Sequence, residues 1–328
     1  MKAIILAGGY AKRLWPITKQ RPKPLLTVAG KPIINYILEK LEEIEEITHI
    51  IVSTNQAFAN DFKNWLKTTD SDKKIELFIE SSTKEQNKLG TIGALNLLFE
   101  EKMLDEDVMV IAGDNIFDFS LRDFLIFYKK IGYPVVALHN MKDKKKISGR
   151  YGVAIVDDTG KIKEFQEKPT NPKSTLVSTA CYIFPREILP LFSKYLEEGN
   201  NPDAPGYFLQ WLYQLVDVYG FVFNEEWYDI GDHGSYLESN FKHMTNPQHI
   251  GKNVFLKDSE IKGNVFIGDN VRIVGSVVEN SILFRGSVIE NCNIKNTIID
   301  EFAKVSNISL IDSTVGRHAK LNGAIIIE

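Results

Sequence analysis

Apolar residues in the first two thirds of the chain fall into short unbroken runs, with segments of helical period between them. The runs at 1–7 (MKAIILA), 49–54 (HIIVST), 75–80 (IELFIE), 107–112 (DVMVIA) and 134–139 (PVVALH) have strand length and consecutive aliphatics, the pattern of strands buried within a sheet. Behind Pro32, which a first helical turn tolerates, Ile33, Ile34, Ile37, Leu38, Leu41 and Ile44 recur at helical spacing. Residues 57–67 and the stretch carrying Leu95, Leu97, Leu98 and Phe99 read as two more helices. This alternation predicts an α/β fold, a Rossmann-like and mostly parallel sheet flanked by helices. Ligands of such sheets bind beyond the carboxyl ends of the strands, so the residues that close each strand become the candidates for chemistry.

Further on, a hairpin turning at 157–160, strands at 178–184 (STACYIF) and 218–223 (VYGFVF), and a helical stretch at 188–216 broken at 200–205 complete this part. The basic run 142–146 is expected to be a mobile, solvated loop. From about residue 250 the period changes. Val265, Val271, Val277, Ile282, Val288, Ile294, Ile299, Val305, Leu310, Val315 and Leu321 recur at steps of five or six residues. A period near six means three short strands per coil around a narrow aliphatic core, the hexapeptide pattern of a left-handed parallel β-helix. The expected organisation is an α/β domain at 1–245, a linker at 246–250 and the β-helix domain at 251–328. The apolar end GAIIIE is expected to cap the coil or meet another subunit.

Composition narrows the class. The 328 residues carry a net charge of −4 with acidic and basic positions mixed, so no whole-chain field points to nucleic acid or an anionic membrane. Any cationic site must be local. Cys181 and Cys292 are too few and too isolated for a disulfide framework or a thiolate zinc site, which fits a reducing compartment. The opening run is too short for a signal segment and no stretch reaches membrane-spanning length, so the expected location is cytoplasmic.

The first strand runs directly into Gly8-Gly9, and Arg13, Arg21 and Lys23 follow closely. Glycines let backbone N–H groups approach an anion, and the cations supply the charge a polyphosphate must meet. Asp114 stands just past a buried strand beside Gly113, where a carboxylate can hold Mg²⁺ against phosphate oxygens. Taken singly, each signal has a plain reading. Leu89-Gly90-Thr91 fits a helix start, Asp114 a turn or cap, Glu167-Lys168 a surface ion pair, and Tyr182 a core tyrosine.

Together they form a longer pattern. The string LAGGYAKRLWPITKQRPKPLLTVAGKPI resembles the signature of the sugar-1-phosphate nucleotidyltransferases, LAGGxGTRLxPxTxxxPKPLxxVxGKP. Ala11 and Lys12 stand where that signature has Gly and Thr, which bears on the fine shape of the phosphate loop. LGTIGA, GDN, the YGV to EKP hairpin and WYDIGD follow in the family's order. The resemblance implies synthesis of an NDP-hexose and pyrophosphate from an NTP and a hexose 1-phosphate. It implies Arg13, Lys23 and Lys168 as catalytic cations, and Leu6, Ala7, Gly8, Gly9, Leu89, Gly90 and Thr91 around the nucleotide. Gly152, Glu167, Lys168, Thr179 and Tyr182 would surround the sugar, and Asp114 and Asp229 would hold the cofactor Mg²⁺. Asp232, beside Asp229, reads as the cap of the helix that follows.

Glucose 1-phosphate with dTTP or UTP is the favoured pair. Mannose 1-phosphate with GTP, or a non-catalytic regulatory subunit binding nucleotide-sugar, are the alternatives. A nucleotide-sugar glycosyltransferase shares the sheet and the carboxylate but has no use for the RPKP cations. The tail reads as an assembly or regulatory element, because His318 is the single histidine inside its repeat and acyl transfer needs an inserted catalytic loop; the resemblance implies a homo-oligomer.

Overall fold

A computed structural model describes residues 1–323. The chain divides into two compact units, one from Met1–Gly9 with Ile34–Asp229, the other from Tyr10–Ile33 with the residues after Asp229. In the first unit the strand Lys2–Leu6 is central. It pairs in parallel with His49–Asn55 on one side and Val108–Ala112 on the other, and Lys74–Glu80 extends the parallel run beyond His49–Asn55. Parallel neighbours need crossovers, which the helices Ala59–Thr68 and Gly90–Glu101 supply. Ile4, Ile51 and Val110 are fully buried between the helical layers, as their consecutive apolar pattern requires. The register places Gly8, Asn55, Glu80 and Asp114 at one edge of the sheet, beyond its carboxyl ends.

Past Ala112 the sheet changes character. Leu176–Phe184 runs antiparallel to Val108–Ala112, to Val135–Asn140 and to Val153–Val156, which itself forms a hairpin with Ile162–Gln166. The hairpin turn is set locally: the Asp157 carboxylate accepts from the Thr159 and Lys161 N–H groups, and Gly160 takes φ +85°. The sheet is therefore mixed, parallel toward the amino terminus and antiparallel around the return strand. One local expectation is corrected. The basic run is not an irregular loop: Lys144–Ile147 is a helical turn, capped by Asp143 accepting from the Lys145 N–H at 2.9 Å and anchored by buried Ile147.

The second unit carries the glycine-loop cations and the tail. Ala11 takes φ +44°, the left-handed region where the family signature has glycine, and the Thr18 hydroxyl donates to its carbonyl at 2.8 Å. Thr27–Val28 pairs with Lys31–Pro32 around Ala29 and Gly30, both at positive φ, the two-residue turn that matches strand twist. The helix His233–His243, capped by Asp232 as expected, clamps this hairpin: Tyr236 donates to the Thr27 carbonyl at 2.6 Å, and the Ala29 N–H donates to Asn240 at 3.0 Å.

The tail forms three parallel sheets wound as a β-helix, beginning with Gln248–Ile250. Paired positions step by 17 residues from Gln248 to Val265, then by 16 from Phe266 to Ile282 and from Ile282 to Ile298. Its corners lie in the left-handed region and are filled largely by asparagine and glycine, including Asn270, Asn280, Asn291, Asn296 and Asn307, which explains the tail's composition. The core departs from the expected series: Val278, Leu283 and Ile289 join the buried aliphatic cluster of the coil where Val277, Ile282 and Val288 were expected, and Leu321 is exposed. Adjacent aliphatics on a strand point to opposite faces, and the period alone did not say which of each pair turns inward. His318 occupies a corner at φ +56° and stacks on Phe302, with ring centroids 5.2 Å apart. Of the terminal GAIIIE, residues 324–328 lie outside the described residues. Both cysteines are buried and free, and among the described residues no helix is long and apolar enough to cross a membrane.

Candidate active site

Strand Val108–Ala112 delivers Gly113 and Asp114 to the sheet edge, and the Gly113 N–H donates to the Leu6 carbonyl at 2.8 Å. The chain then enters a second ladder, in which Asn115–Phe117 pairs antiparallel with Trp227–Asp229 and Asn115 stands opposite Asp229. This pairing brings Asp114 and Asp229, distant in sequence, to the wall of one cavity of about 200 Å³. Asn115 is the joint between them. Its amide oxygen accepts from the Trp227 indole at 2.9 Å while its NH₂ donates to the Asp114 carboxylate at 3.0 Å, so neither amide group is left to choose its orientation. The Trp227 ring is held in turn by His139 and Tyr151, with centroids 5.8 and 5.4 Å away. Burial holds His139 below its ordinary pKa, which favours the neutral ring.

Gly152, Glu167, Ser178, Thr179 and Tyr182 from the antiparallel half, and Gly206 from the helix Pro205–Leu212, line the same cavity. The Glu167 side chain is 5 % exposed, and a Cβ at Gly206 or Gly152 would lie 1.7 or 2.7 Å from its Oε2. Both glycines therefore make room for this carboxylate. Burial pushes its pKa above the ordinary carboxylate value, against a smaller pull from the Lys168 ammonium 3.7 Å away. Lys168 itself is exposed and takes φ +47°. The Thr179 hydroxyl donates to the Ala137 carbonyl at 3.1 Å, and the Tyr182 hydroxyl meets Ser178 Oγ at 3.3 Å.

At the sheet's other strand ends, Asn55 donates to the Gly8 carbonyl at 2.7 Å and the Thr54 hydroxyl reaches the Ala7 carbonyl at 3.3 Å, which fixes the backbone leaving Leu6. A Cβ at Gly9 would meet nothing within 4 Å. Gly90, at φ +77°, is demanded by the protein itself: a Cβ there would lie 2.5 Å from the Pro202 carbonyl oxygen. The Lys88–Asp203 ion pair at 3.2 Å ties down the same turn, and Thr91 lies in the first turn of the helix that Gly90 begins, with Leu89 exposed before it. Arg13 and Lys23 belong to the second unit, Arg13 exposed and Lys23 buried.

The nucleotidyl transferase family model matches residues 2–246. The chain belongs to that family. Among curated relatives it is 32% identical over 281 residues to the bifunctional protein GlmU of Methanocaldococcus jannaschii, covering 85% of this chain and 60% of that protein. It is 30% identical over 297 residues to a putative mannose-1-phosphate guanyltransferase of Sulfolobus acidocaldarius, covering 86% of this chain and 76% of that protein. With a UTP–glucose-1-phosphate uridylyltransferase of Synechocystis it shares 28% identity across all of this chain and 91% of the relative. The chain spans only 60% of the length of the GlmU relatives that it matches first. Within this family the six sequence-derived residues that share one cavity are Asp114, Gly152, Glu167, Thr179, Tyr182 and Asp229.

Sequence reasoning missed Asn115, Trp227, Arg150 and Gly206, which line the cavity too. Asn115 and Trp227 sit inside the GDN and WYDIGD motifs, and that adjacency was the available signal. Gly206 carried none, because its partner Glu167 is remote in sequence.

Proposed function

We propose that the chain transfers a nucleotidyl group from an NTP to a hexose 1-phosphate, giving an NDP-hexose and pyrophosphate. The observation that carries this reading is one cavity lined by Asp114, Asp229 and Glu167, the last packed against two glycines. A phosphate oxygen of the sugar attacks the α-phosphorus in line, and the bond to pyrophosphate breaks with its electron pair leaving on the departing group. No side-chain nucleophile is required. The buried Glu167 carboxylate accepts hydrogen bonds from sugar hydroxyls, Lys168 holds the incoming phosphate, and Arg13 and Lys23 neutralise the triphosphate. Asn115 keeps the Asp114 carboxylate in one orientation.

Two carboxylates suit Mg²⁺, which takes few protein ligands and keeps its other positions for phosphate oxygens and water; among the described residues no cluster of three or more ligating side chains forms a closed cage. Bound there, Mg²⁺ supplies charge neutralisation at the phosphate oxygens. The exposed apolar side chains of the β-helix, Ile250, Phe255, Leu256 and Ile311, support a homo-oligomer formed through that unit.

The test is pyrophosphate release on mixing NTP, Mg²⁺ and a hexose 1-phosphate. Asp114→Asn and Asp229→Asn are each expected to lower turnover by about 100-fold or more with an unchanged melting temperature. Absence of pyrophosphate from every substrate pair would leave the binding-only regulatory subunit in its place.

A further inference from the structure

Arg150 has no part in the reading above, yet among the described residues that line the cavity it is the one cation. Lys168, which the family resemblance assigns to the incoming phosphate, is exposed and is not among them. The two are nevertheless neighbours. The Ser148 hydroxyl donates to the Thr170 carbonyl at 2.7 Å, the Gly149 N–H to the Pro169 carbonyl at 2.9 Å and the Lys168 N–H to the Tyr151 carbonyl at 3.1 Å. Residues 148–151 and 168–170 therefore run side by side in opposite directions, and Arg150 stands across from Lys168 and Pro169. Gly149 takes φ +68° and Lys168 φ +47°; the latter is a conformation that a non-glycine residue holds only where its surroundings impose it, as they do at ligand clamps. Arg150 is anchored from behind, its N–H donating at 3.0 Å to the carbonyl of the fully buried Ile147. Its guanidinium lies over the Tyr151 ring, 5.6 Å from the centroid, and that ring packs on Trp227. The cation thus rests on the aromatic pair whose indole holds Asn115 against Asp114.

We infer that Arg150 is a catalytic residue: its guanidinium grips the phosphate of the hexose 1-phosphate, with Lys168 across from it as the second cation of a clamp. The inference rests on the nucleotidyl-transfer reading and adds to it the group that orients the nucleophile. A phosphate monoester carries a charge of about −1.5 to −2 at neutral pH. Asp114 and Asp229 line the same cavity with charge of the same sign, so a phosphate enters against repulsion unless a cation on the wall offsets them. Lysine would supply charge alone. Arginine also presents its N–H groups in a planar fork that fits two phosphate oxygens at once, and this fixes the direction of the third. That oxygen forms its bond to the α-phosphorus while the bond to pyrophosphate breaks, the electron pair leaving with pyrophosphate. A guanidinium keeps its proton at any working pH, so Arg150 acts by position and charge and moves no proton.

The experiment measures pyrophosphate release from NTP, Mg²⁺ and a hexose 1-phosphate for the native chain, Arg150→Lys and Arg150→Ala. Arg150→Ala should raise KM for the hexose 1-phosphate by about 10-fold or more, as loss of a charge-assisted hydrogen bond does, with KM for the NTP and the melting temperature unchanged. Arg150→Lys should fall between the two, because it keeps the charge without the fork. Guanidinium ion added below denaturing concentration should restore part of the Arg150→Ala rate, and ammonium at the same concentration should not, a response that a merely structural arginine would not give. An unchanged KM for the hexose 1-phosphate overturns the inference, and so does an equal rise in KM for the NTP, which would put Arg150 on the nucleotide. If the native chain yields no pyrophosphate with any substrate pair, the transfer reading falls by itself. Calorimetric binding of hexose 1-phosphates against the free hexoses then decides: the grip predicts a preference for the phosphorylated sugar that Arg150→Ala loses, and the absence of that preference overturns it. Should Arg150→Ala not fold, Arg150→Lys carries the KM comparison.

Discussion

The cavity depends on single atoms at Glu167 and on the glycines that admit it. A methyl group at Gly206 would stand 1.7 Å from Glu167 Oε2, so Gly206→Ala must push the carboxylate out of its place. The expected result is a rise of about 10-fold or more in KM for the sugar phosphate, with kcat changed far less, as removal of ground-state binding requires. Titration gives an independent check. Burial raises the Glu167 pKa above the ordinary carboxylate value, so the acceptor carboxylate is lost at a higher pH than for an exposed glutamate. KM for the sugar phosphate should therefore climb on acidification, beginning at a higher pH than an exposed glutamate would give. Glu167→Gln should remove that component, leaving only the slope from the substrate phosphate; identical slopes in the two proteins would contradict this. At this scale the sequence was partly readable. Motif positions located Asp114, Glu167 and Asp229, whereas Gly206 and the Trp227–Asn115–Asp114 chain of hydrogen bonds depend on contacts between remote segments, which no local pattern encodes.

Among elements, the strands and helices of the parallel half follow directly from aliphatic runs and helical spacing. The predicted face of the first helix is buried at Ile33, Ile34, Ile37, Leu38 and Leu41. Legibility faltered where two readings share one pattern. A lysine run can be solvated loop or, given Asp143 as cap and Ile147 as anchor, a helical turn; in the β-helix, paired aliphatics hide which of them faces inward. The glycine-loop segment is also joined to the β-helix coils by charge. Arg21 reaches Asp300 at 3.3 Å and Glu301 at 3.6 Å, Arg317 reaches Glu301 at 2.9 Å, and Asp300 is 2 % exposed. Burial lifts the Asp300 pKa above 3.8 even with Arg21 pulling it down. Arg21→Gln leaves this carboxylate without its nearest cation and should cost about 3 kcal/mol at neutral pH. The sign follows from linkage: removing Arg21 raises the folded-state pKa further, so the deficit is full above that pKa and fades as pH falls toward the unfolded value of 3.8. Denaturation midpoints of the two proteins should converge on acidification; parallel curves would show that Arg21 stabilises by packing alone.

For the whole molecule, the sequence spoke most clearly about class and least about how the sheet is assembled. An α/β unit, a strand at 178–184 and a β-helix were all legible from period alone, but the antiparallel direction of Leu176–Phe184, which lines the cavity, was not, since a strand's pattern does not state its partner's direction. Nor did the sequence show that Tyr10–Ile33 would group with the β-helix, an arrangement made by tertiary contacts such as Tyr236 to Thr27. The account as a whole stands on the proposal that Asp114, just before the strand Asn115–Phe117, and Asp229, on the strand paired with it, serve one metal-dependent step. The measurement that reaches this most directly is a double-mutant cycle on pyrophosphate release with Asp114→Asn, Asp229→Asn and the pair combined. Residues acting as one unit are not additive, so the double variant should be within about 3-fold of the slower single variant. Losses that multiply, or near-native turnover in either single variant, would mean that the two carboxylates do not share a site.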